Sequence, residues 1–143
     1  MAELLETLHS EHEMVKELFE KLKSEDQAKK KEQLFSQIKR DLTPHMRGEE
    51  KYFYPALKEK EGNKEDVLEA VEEHHAAKLL LNELDDMSPD EERWDAKASV
   101  LQEMIEHHIE EEEDTIFEAA RDTLSEAKLR KIAEQFEKEK SLV

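Results

Sequence analysis

The sequence predicts an all-α protein, an up-down-up-down four-helix bundle with an extra C-terminal helix. Three observations lead to this prediction. Apolar residues recur every three or four positions through four long segments and a shorter fifth one. The 143 residues include only two glycines and three prolines, and 43% of them are charged, a composition typical of long amphipathic helices. The connections between segments are short, so consecutive helices are expected to be antiparallel neighbours.

The first two helices are expected at about 2–23 and 29–60, where an apolar stripe runs along one face of each. The stripe of the first helix consists of Leu5, Leu8, Val15, Phe19 and Leu22. The stripe of the second consists of Leu34, Ile38, Leu42, Tyr52, Phe53 and Ala56. Gly62 is expected to end the second helix as a C-cap, because glycine readily adopts the left-handed conformation of that position.

The third and fourth helices are expected at about 64–87 and 89–121. Ser88, Pro89 and Glu91 supply an N-cap, a proline at the first helical position and a capping-box glutamate, so the fourth helix is predicted to begin there. The stripe of the third helix consists of Val67, Ala70, Ala77, Leu81 and Leu84. The stripe of the fourth consists of Trp94, Ala98, Leu101, Ile105, Ile116 and Ala119.

The domain organisation follows from these segments. Residues 1–122 are expected to form the bundle as two helical hairpins, about 4–60 and 64–121. Residues 123–143 are expected to form a C-terminal helix that packs on the bundle, with Ser125 as its N-cap. The stripe of this last helix consists of Leu129, Ile132, Ala133 and Phe136.

Composition excludes several classes of function. The net charge of −17 repels phosphate backbones and anionic membranes, so we expect neither nucleic acid nor membrane as a partner. Cysteine is absent from the sequence, which excludes disulfides and thiolate metal sites. The first twenty residues lack the basic start and apolar stretch of a signal peptide, and no apolar run approaches the ~20 residues of a membrane helix. We therefore expect a cytoplasmic protein.

Polar residues interrupt the apolar stripes at matched positions. Each long helix places one histidine on its stripe, and two of the helices add a glutamate one turn later. These residues are His12, His45, Glu49, His74, His108 and Glu112. Burying an isolated carboxylate costs several kcal/mol. A layer of six polar groups inside a bundle therefore needs a shared partner, and a metal centre supplies one.

The chain also repeats itself, at offsets of 62 and 63 residues. Residues 11–22 match 73–84, and residues 45–57 match 108–120. The repeat pairs the stripe histidines and glutamates of one hairpin with those of the other. The two hairpins are therefore expected to bring their polar residues to a similar depth in the bundle.

The donor set has a specific chemistry. Four imidazoles and two carboxylates suit two borderline transition-metal ions, whereas Ca²⁺ and Mg²⁺ prefer oxygen donors. The i, i+4 spacing of His45 with Glu49, and of His108 with Glu112, places both donors on one helix face. The expected result is two half-sites with nitrogen and oxygen donors, each with coordination positions left for water, O₂ or another small ligand.

The order of these motifs resembles the hemerythrin-like (HHE cation-binding) domain family. That family has a first-helix histidine, an H-x₃-E motif, a third-helix histidine and a second H-x₃-E motif. The segment HMRGEEKYFYPAL at 45–57 is similar to the family's H-x₃-E-E-x₃-Pro-Ala-Leu pattern. The resemblance covers residues 4–120 and implies a hemerythrin-like bundle.

The resemblance also implies a cofactor: a non-haem di-iron centre of two Fe ions, bridged by Glu49, Glu112 and an oxo or hydroxo group. The other ligands it implies, two for each iron, are the pairs His12 with His45 and His74 with His108. It implies binding of O₂ or a related small oxidant, for storage, delivery or sensing. Processing of peroxide or nitric oxide at the same centre, or iron storage and handling, is the alternative.

The sequence departs from the oxygen-carrying members at Lys78, where they have a fifth histidine four residues after the third-helix one. The fourth-helix spacing, H-x₃-E rather than H-x₄-D, also favours the HHE branch of the family. Both differences favour redox chemistry or signalling over simple reversible O₂ carriage. Whether the protein is an enzyme stays open at this stage.

Two rival interpretations use other residues or no metal. A ferritin-like carboxylate site would be built from Glu-x-x-His pairs, namely Glu6 with His9 and Glu72 with His75. A metal-free bundle would serve as an interaction module for an unidentified protein partner. Near the six-residue layer, peripheral or solvated positions are expected for His75, His107, Glu50, Glu113, Glu110, Glu111 and Asp114. Replacement of a missing ligand by His75 or His107 is the alternative. Tyr52 is expected on the core stripe, and a hydrogen bond from its hydroxyl to a bound oxygen species is the alternative.

Overall fold

The computed structural model describes residues 3–141, which are helical apart from short turns and contain no strand. The all-α prediction is confirmed. The α-helices are α1 (Glu3–Lys23), α2 (Ala28–Gly48), α3 (Tyr54–Lys58), α4 (Lys64–Asp85), α5 (Trp94–Glu111), α6 (Phe117–Thr123) and α7 (Glu126–Lys140). Within the described range, no helix combines the length and the apolar character needed to cross a membrane.

Two π-helical segments join short helices to long ones. The segment Glu49–Phe53 connects α2 to α3, and Glu112–Ile116 connects α5 to α6. At their ends, the amide of Tyr54 donates to the Glu49 carbonyl and the amide of Phe117 to the Glu112 carbonyl. Each segment therefore inserts one extra residue into a continuous helix, a feature common at functional sites. We call α1 the first arm, α2 to α3 the second, α4 the third and α5 to α6 the fourth.

The start of the fourth arm differs from the prediction. The Ser88 amide does donate to the Glu91 carboxylate at 2.6 Å, as in a capping box. This contact closes a turn, however, and the helix begins only at Trp94. The indole of Trp94 is buried and donates to the Leu84 carbonyl at 3.4 Å. The intervening residues are therefore needed to bring the chain back onto the end of α4.

At two other helix ends, the prediction for Gly62 was wrong and the prediction for Ser125 is confirmed. Gly62 has no positive φ and does not act as a left-handed C-cap. The side-chain amide of Asn63 instead donates to the Leu57 carbonyl at 3.1 Å, at the end of the second arm. At the start of α7, the Ser125 hydroxyl accepts the Lys128 amide at 3.1 Å, as the sequence predicted.

Two apolar clusters fill the bundle, and the polar layer lies between them. On the first arm, Leu8 belongs to one cluster and Val15 to the other, with His12 between them. On the third arm, His74 stands in the same way between Ala70 and Ala77. The bundle therefore holds the six polar residues at mid-height, away from both ends.

Helix α7 packs against α1 and α2 and against the first π segment. The contact depends on Gly48, because a Cβ atom at that position would lie 2.4 Å from Cδ2 of Phe136. Lys140 binds Glu11 of α1, and Lys51 binds Glu139 at 2.9 Å. Gly48 thus allows α7 to approach the second arm closely, next to the polar layer.

Candidate metal centre

The structure brings all six stripe residues together, and all are buried. They form two overlapping groups in which four ligand atoms lie within 4.8 Å of one another. The first half-site consists of His12, His45, Glu49 and Glu112. The second half-site consists of Glu49, His74, His108 and Glu112. The two groups have both carboxylates in common, and each has two histidines of its own.

The two glutamates reach both half-sites, in different ways. One oxygen of Glu49, Oε1, lies 3.3 Å from Nε2 of His45 and 3.2 Å from Nε2 of His74. Glu112 uses both oxygens: Oε1 lies 3.2 Å from Nε2 of His12, and Oε2 lies 3.3 Å from Nε2 of His108. Their positions suit carboxylates that are shared between two cations.

Three buried atoms of this layer have no hydrogen-bond partner among the described residues: His12 Nε2, Glu49 Oε2 and Glu112 Oε1. His12 Nε2 and Glu112 Oε1 are only 3.2 Å apart, but they are not aligned for a hydrogen bond. A buried polar atom without a partner is costly. A cation coordinated by these atoms would remove that cost, so the residues present fit a metal centre.

Four further glutamates surround the histidines. Each accepts a hydrogen bond from Nδ1 of one histidine, at 2.6 to 2.7 Å. The pairs are Glu11 with His45, Glu50 with His74, Glu73 with His108 and Glu113 with His12. Each arm therefore supports the histidine of the next arm, and the fourth arm supports that of the first.

This ring of glutamates fixes the orientation of the four histidines. An ionised carboxylate only accepts, so each Nδ1 carries the proton and each Nε2 is directed into the layer. Glu11 and Glu73 were not predicted, although both directly precede a stripe histidine and are repeat equivalents. Glu50 and Glu113 do lie beside the layer, as expected.

Burial and charge shift the titration of the layer. Burial lowers the pKa of His108, but its contacts with Glu112 and Glu73 outweigh this and raise the pKa to about 10. Burial likewise raises the pKa of Glu112, but its contacts with Glu49, His108 and His12 hold the pKa well below its usual value. Positive charge therefore stabilises the buried carboxylates, and either protons on the histidines or metal cations can provide it.

Tyr54 adds a hydroxyl to the second half-site. The hydroxyl donates to Oε2 of Glu112 and lies 3.4 Å from Nε2 of both His74 and His108. It also lies 3.4 Å from Oε1 of Glu49. Burial and the neighbouring carboxylates raise the pKa of Tyr54 well above its usual value. In the metal-free protein the phenol therefore keeps its proton.

Tyr52 packs, partly buried, against one of the apolar clusters, in agreement with the core prediction, but its hydroxyl does not take the alternative role. Its hydroxyl donates to Glu139 of α7 at 3.1 Å and does not face the layer. The π segment explains the change, because it inserts one residue after Glu49 and turns Tyr54, rather than Tyr52, toward the layer. In the fourth arm the equivalent position is Phe117, whose ring stacks on His12 with the ring centroids 6.1 Å apart.

The residues of the rival interpretation remain outside the layer. The side chains of Glu6, His9, Glu72 and His75 are all exposed, so the ferritin-like site is not formed. Lys78, which replaces the fifth histidine, binds Glu50 at 3.0 Å rather than pointing between the histidines. His107, Glu110, Glu111 and Asp114 are exposed, as expected.

The fold and site define a helical-bundle protein with a buried histidine and carboxylate centre. Residues 3–120 match the hemerythrin HHE cation-binding domain, and the chain belongs to this family. Family membership makes it a metal-cation-binding protein, in agreement with the two buried groups.

Two known proteins are similar over nearly the whole chain. A hemerythrin HHE cation-binding domain-containing protein from Mycobacterium kansasii superposes with a TM-score of 0.85 at 22% identity, over 99% of this chain and 87% of that one. It therefore has the same fold. A Nostoc protein named DNA nickase is 29% identical over 138 residues, which are 96% of this chain and 39% of that protein. The chain thus spans about two fifths of the length of this relative.

Proposed function

We propose that this chain is a non-haem di-iron protein that binds O₂ or a related small oxidant, for storage, delivery or sensing. The observation that carries the proposal is the pair of half-sites that share two fully buried carboxylates. A single cation would need only one of the two groups. Two cations side by side use all six residues.

The donor types favour iron within this proposal. Imidazole suits Zn, Cu, Fe and Ni, and carboxylates at bundle cores are typical of di-iron proteins. His12 and His45 would hold one iron, and the remaining two histidines the other, with Glu49 and Glu112 between them. When bound, the iron pair supplies the electrons and the coordination positions for a small oxidant.

Tyr54 makes the two half-sites unequal. Around a metal with bonds of roughly 2.1 Å, neighbouring donor atoms lie roughly 3.0–3.4 Å apart. The Tyr54 hydroxyl lies at this spacing, 3.4 Å, from Nε2 of His74 and of His108. It therefore stands where a further ligand of the second half-site would stand. Phe117 offers no donor to the first half-site, which leaves a position there for the small ligand.

Turnover is the second candidate function, with peroxide or nitric oxide as substrate. The Tyr54 hydroxyl favours it, because this buried phenol donates to Glu112 and can supply a proton next to the half-sites. Reduction of peroxide to water consumes protons, so a proton donor at this place has a use that reversible O₂ binding does not require. Iron storage uses the same ligands and has no such requirement.

Nucleic acid remains excluded from the proposal. The name DNA nickase belongs to the Nostoc protein, of which this chain covers 39%. The net charge of −17 opposes binding to phosphate backbones. We therefore propose a cytoplasmic protein that acts on a small oxidant rather than on DNA.

Metal analysis combined with visible spectra in air and after reduction tests the proposal. We expect about two irons per chain and an absorption that changes on reduction. A reversible spectral change under O₂ without turnover identifies a carrier or sensor, whereas peroxide consumption that is lost in Glu112→Ala identifies the enzyme. Protein that is purified without metal and takes up none on reconstitution contradicts both, and supports the metal-free interaction module.

A further inference from the structure

A cavity of about 210 Å³ connects the surface with the second half-site, between the third and fourth arms. Its inner part is lined by His108 and Glu112, which are both buried. The outer part is lined by the acidic residues Asp66, Glu69, Glu73 and Glu111. The cavity is thus an acidic passage that ends at two of the residues we assign to the metals.

Glu73 and Glu111, which line the outer part of this passage, form a cluster with the neighbouring His107. Ligand atoms of Glu73, His107 and Glu111 lie within 4.8 Å of one another. His107 Nε2 lies 3.5 Å from a Glu111 oxygen, and Glu73 also accepts from His108 at 2.6 Å. In the described range, no lysine or arginine pairs with either glutamate. The group therefore combines metal-type donors with two carboxylates that no lysine or arginine neutralises, and Glu73 links it directly to a ligand of the second half-site.

The first hairpin also has a cavity at the equivalent place, lined by Glu11, Pro44 and Lys140, but no residue of the polar layer lines it. Glu73, His107 and Glu111 correspond to Glu11, Pro44 and Gly48. There α7 covers the surface: Phe136 packs on Gly48, and Lys140 binds Glu11 and neutralises it. A cation and an aromatic ring therefore cover the equivalent place in the first hairpin, whereas the second hairpin has a histidine and two acids there.

We propose that Glu73, His107 and Glu111 form a transit site that binds divalent metal cations at the surface and passes them through the cavity to the buried centre. Helix α7 closes the equivalent route on the first hairpin. The inference rests on the proposed di-iron function, since it supplies the cations for that centre. Its physical basis is that an acidic passage with low-dielectric walls concentrates cations and raises their rate of association.

Stopped-flow mixing of the metal-free protein with Co²⁺, followed by the visible absorption of the bound ion, tests the transit site. We expect the double variant His107→Gln/Glu111→Gln to bind Co²⁺ about tenfold more slowly than wild type, with the same final spectrum and stoichiometry. The wild-type rate should also fall more steeply with salt than the variant rate, because the variant has lost charge at the opening.

A matched control is His75→Gln/Glu110→Gln, which changes the same residue types at exposed positions away from the cavity. This variant should retain the wild-type rate. Equal slowing in both double variants, or in neither, overturns the transit site while leaving the buried centre intact. Wild-type protein that takes up no Co²⁺ at all refutes the proposed metal centre itself, so the two failures are distinguishable.

Additional substitutions in the His107→Gln/Glu111→Gln variant test whether α7 closes the equivalent route on the first hairpin. Phe136→Ala or the milder Lys140→Ala opens the equivalent route, and we expect either to raise the Co²⁺ uptake rate severalfold. Helix content and thermal unfolding show whether the Phe136→Ala protein is folded. If it is not, the uptake rate of the Lys140→Ala variant is the test. Uptake that stays slow after folded α7 variants are made contradicts closure by α7.

Discussion

The two half-sites have the same arrangement of histidines and glutamates but different surroundings. The first is flanked by Phe117 and covered by α7, whose Phe136 ring meets His45 edge-on with the centroids 6.0 Å apart. The second contains the Tyr54 hydroxyl and opens to the surface through an acidic cavity. The two hairpins therefore show how a repeated set of histidines and glutamates acquires unequal surroundings through a few neighbouring side chains.

The charges outside the half-sites differ as well. Glu11 and Glu73 hold equivalent histidines, but only Glu11 is neutralised by a lysine, Lys140 of α7. Contacts with His45 and Lys140 outweigh burial and lower the pKa of Glu11. The pKa of Glu73 is lowered chiefly by its hydrogen bond to His108. The open side therefore lacks the lysine that neutralises Glu11 on the covered side.

The largest effect is expected from substituting a carboxylate that both half-sites share, because both half-sites are then affected alike. Glu112→Ala removes an oxygen from each half-site, so the metal affinity of both half-sites should decrease together. We expect a decrease of more than about 100-fold, because loss of a residue that only supports a ligand already costs up to about 100-fold. Metal titration of the variant checks this, with His75→Ala as the control that keeps wild-type binding. Undiminished metal content in Glu112→Ala contradicts the shared role.

Gly48→Ala tests the packing of α7 over the first half-site. The added Cβ would lie 2.4 Å from the Phe136 ring, so we expect a loss of roughly 1–3 kcal/mol in the free energy of unfolding. The equivalent substitution in the second hairpin, Glu111→Ala, is at an exposed position and should stay within about 0.5 kcal/mol. Urea denaturation of both variants measures the difference. Equal stabilities mean that α7 does not depend on Gly48.

Substitutions at Tyr54 and Phe117 test the difference between the two half-sites directly. Tyr54→Phe should give the second half-site the surroundings of the first, lower its metal affinity about tenfold and abolish any phenolate-to-Fe³⁺ absorption. Phe117→Tyr should add a phenol beside His12 and introduce such a band at the first half-site. Visible and resonance Raman spectra of the ferric proteins distinguish these outcomes. A phenolate band that persists in Tyr54→Phe assigns the ligand to another tyrosine.

The smallest effect concerns pH. The folded-state pKa of His108 is about 10, above an unfolded value of about 6.5. Its protonation therefore stabilises the metal-free protein fully below pH ~6.5, and this contribution is lost as pH rises through about 10. We expect the urea midpoint of the metal-free protein to decrease over this window. The decrease should be smaller in His108→Asn and in metal-loaded protein, and an unchanged pH profile in His108→Asn contradicts the assignment.

Much of the site could be predicted from local sequence patterns. Helical periodicity together with the repeat selected all six residues of the polar layer, because both patterns depend on spacing within one helix. The start of the fourth arm was harder, since Ser88 and Glu91 make the same capping contact in a turn as at a helix end. Trp94 decides the start by packing against Leu84, which is a contact between separate helices.

By itself the sequence determined the all-α fold, the two hairpins and the six polar positions, since each rests on regular spacing along the chain. Only the tertiary structure decided which groups surround that layer. The π segment after Glu49 brings Tyr54 inward because it interrupts the 3.6-residue period on which the prediction relied. The ring of glutamates joins different arms, and α7 covers only one hairpin. These features depend on contacts between distant segments, which no periodicity within a single helix records.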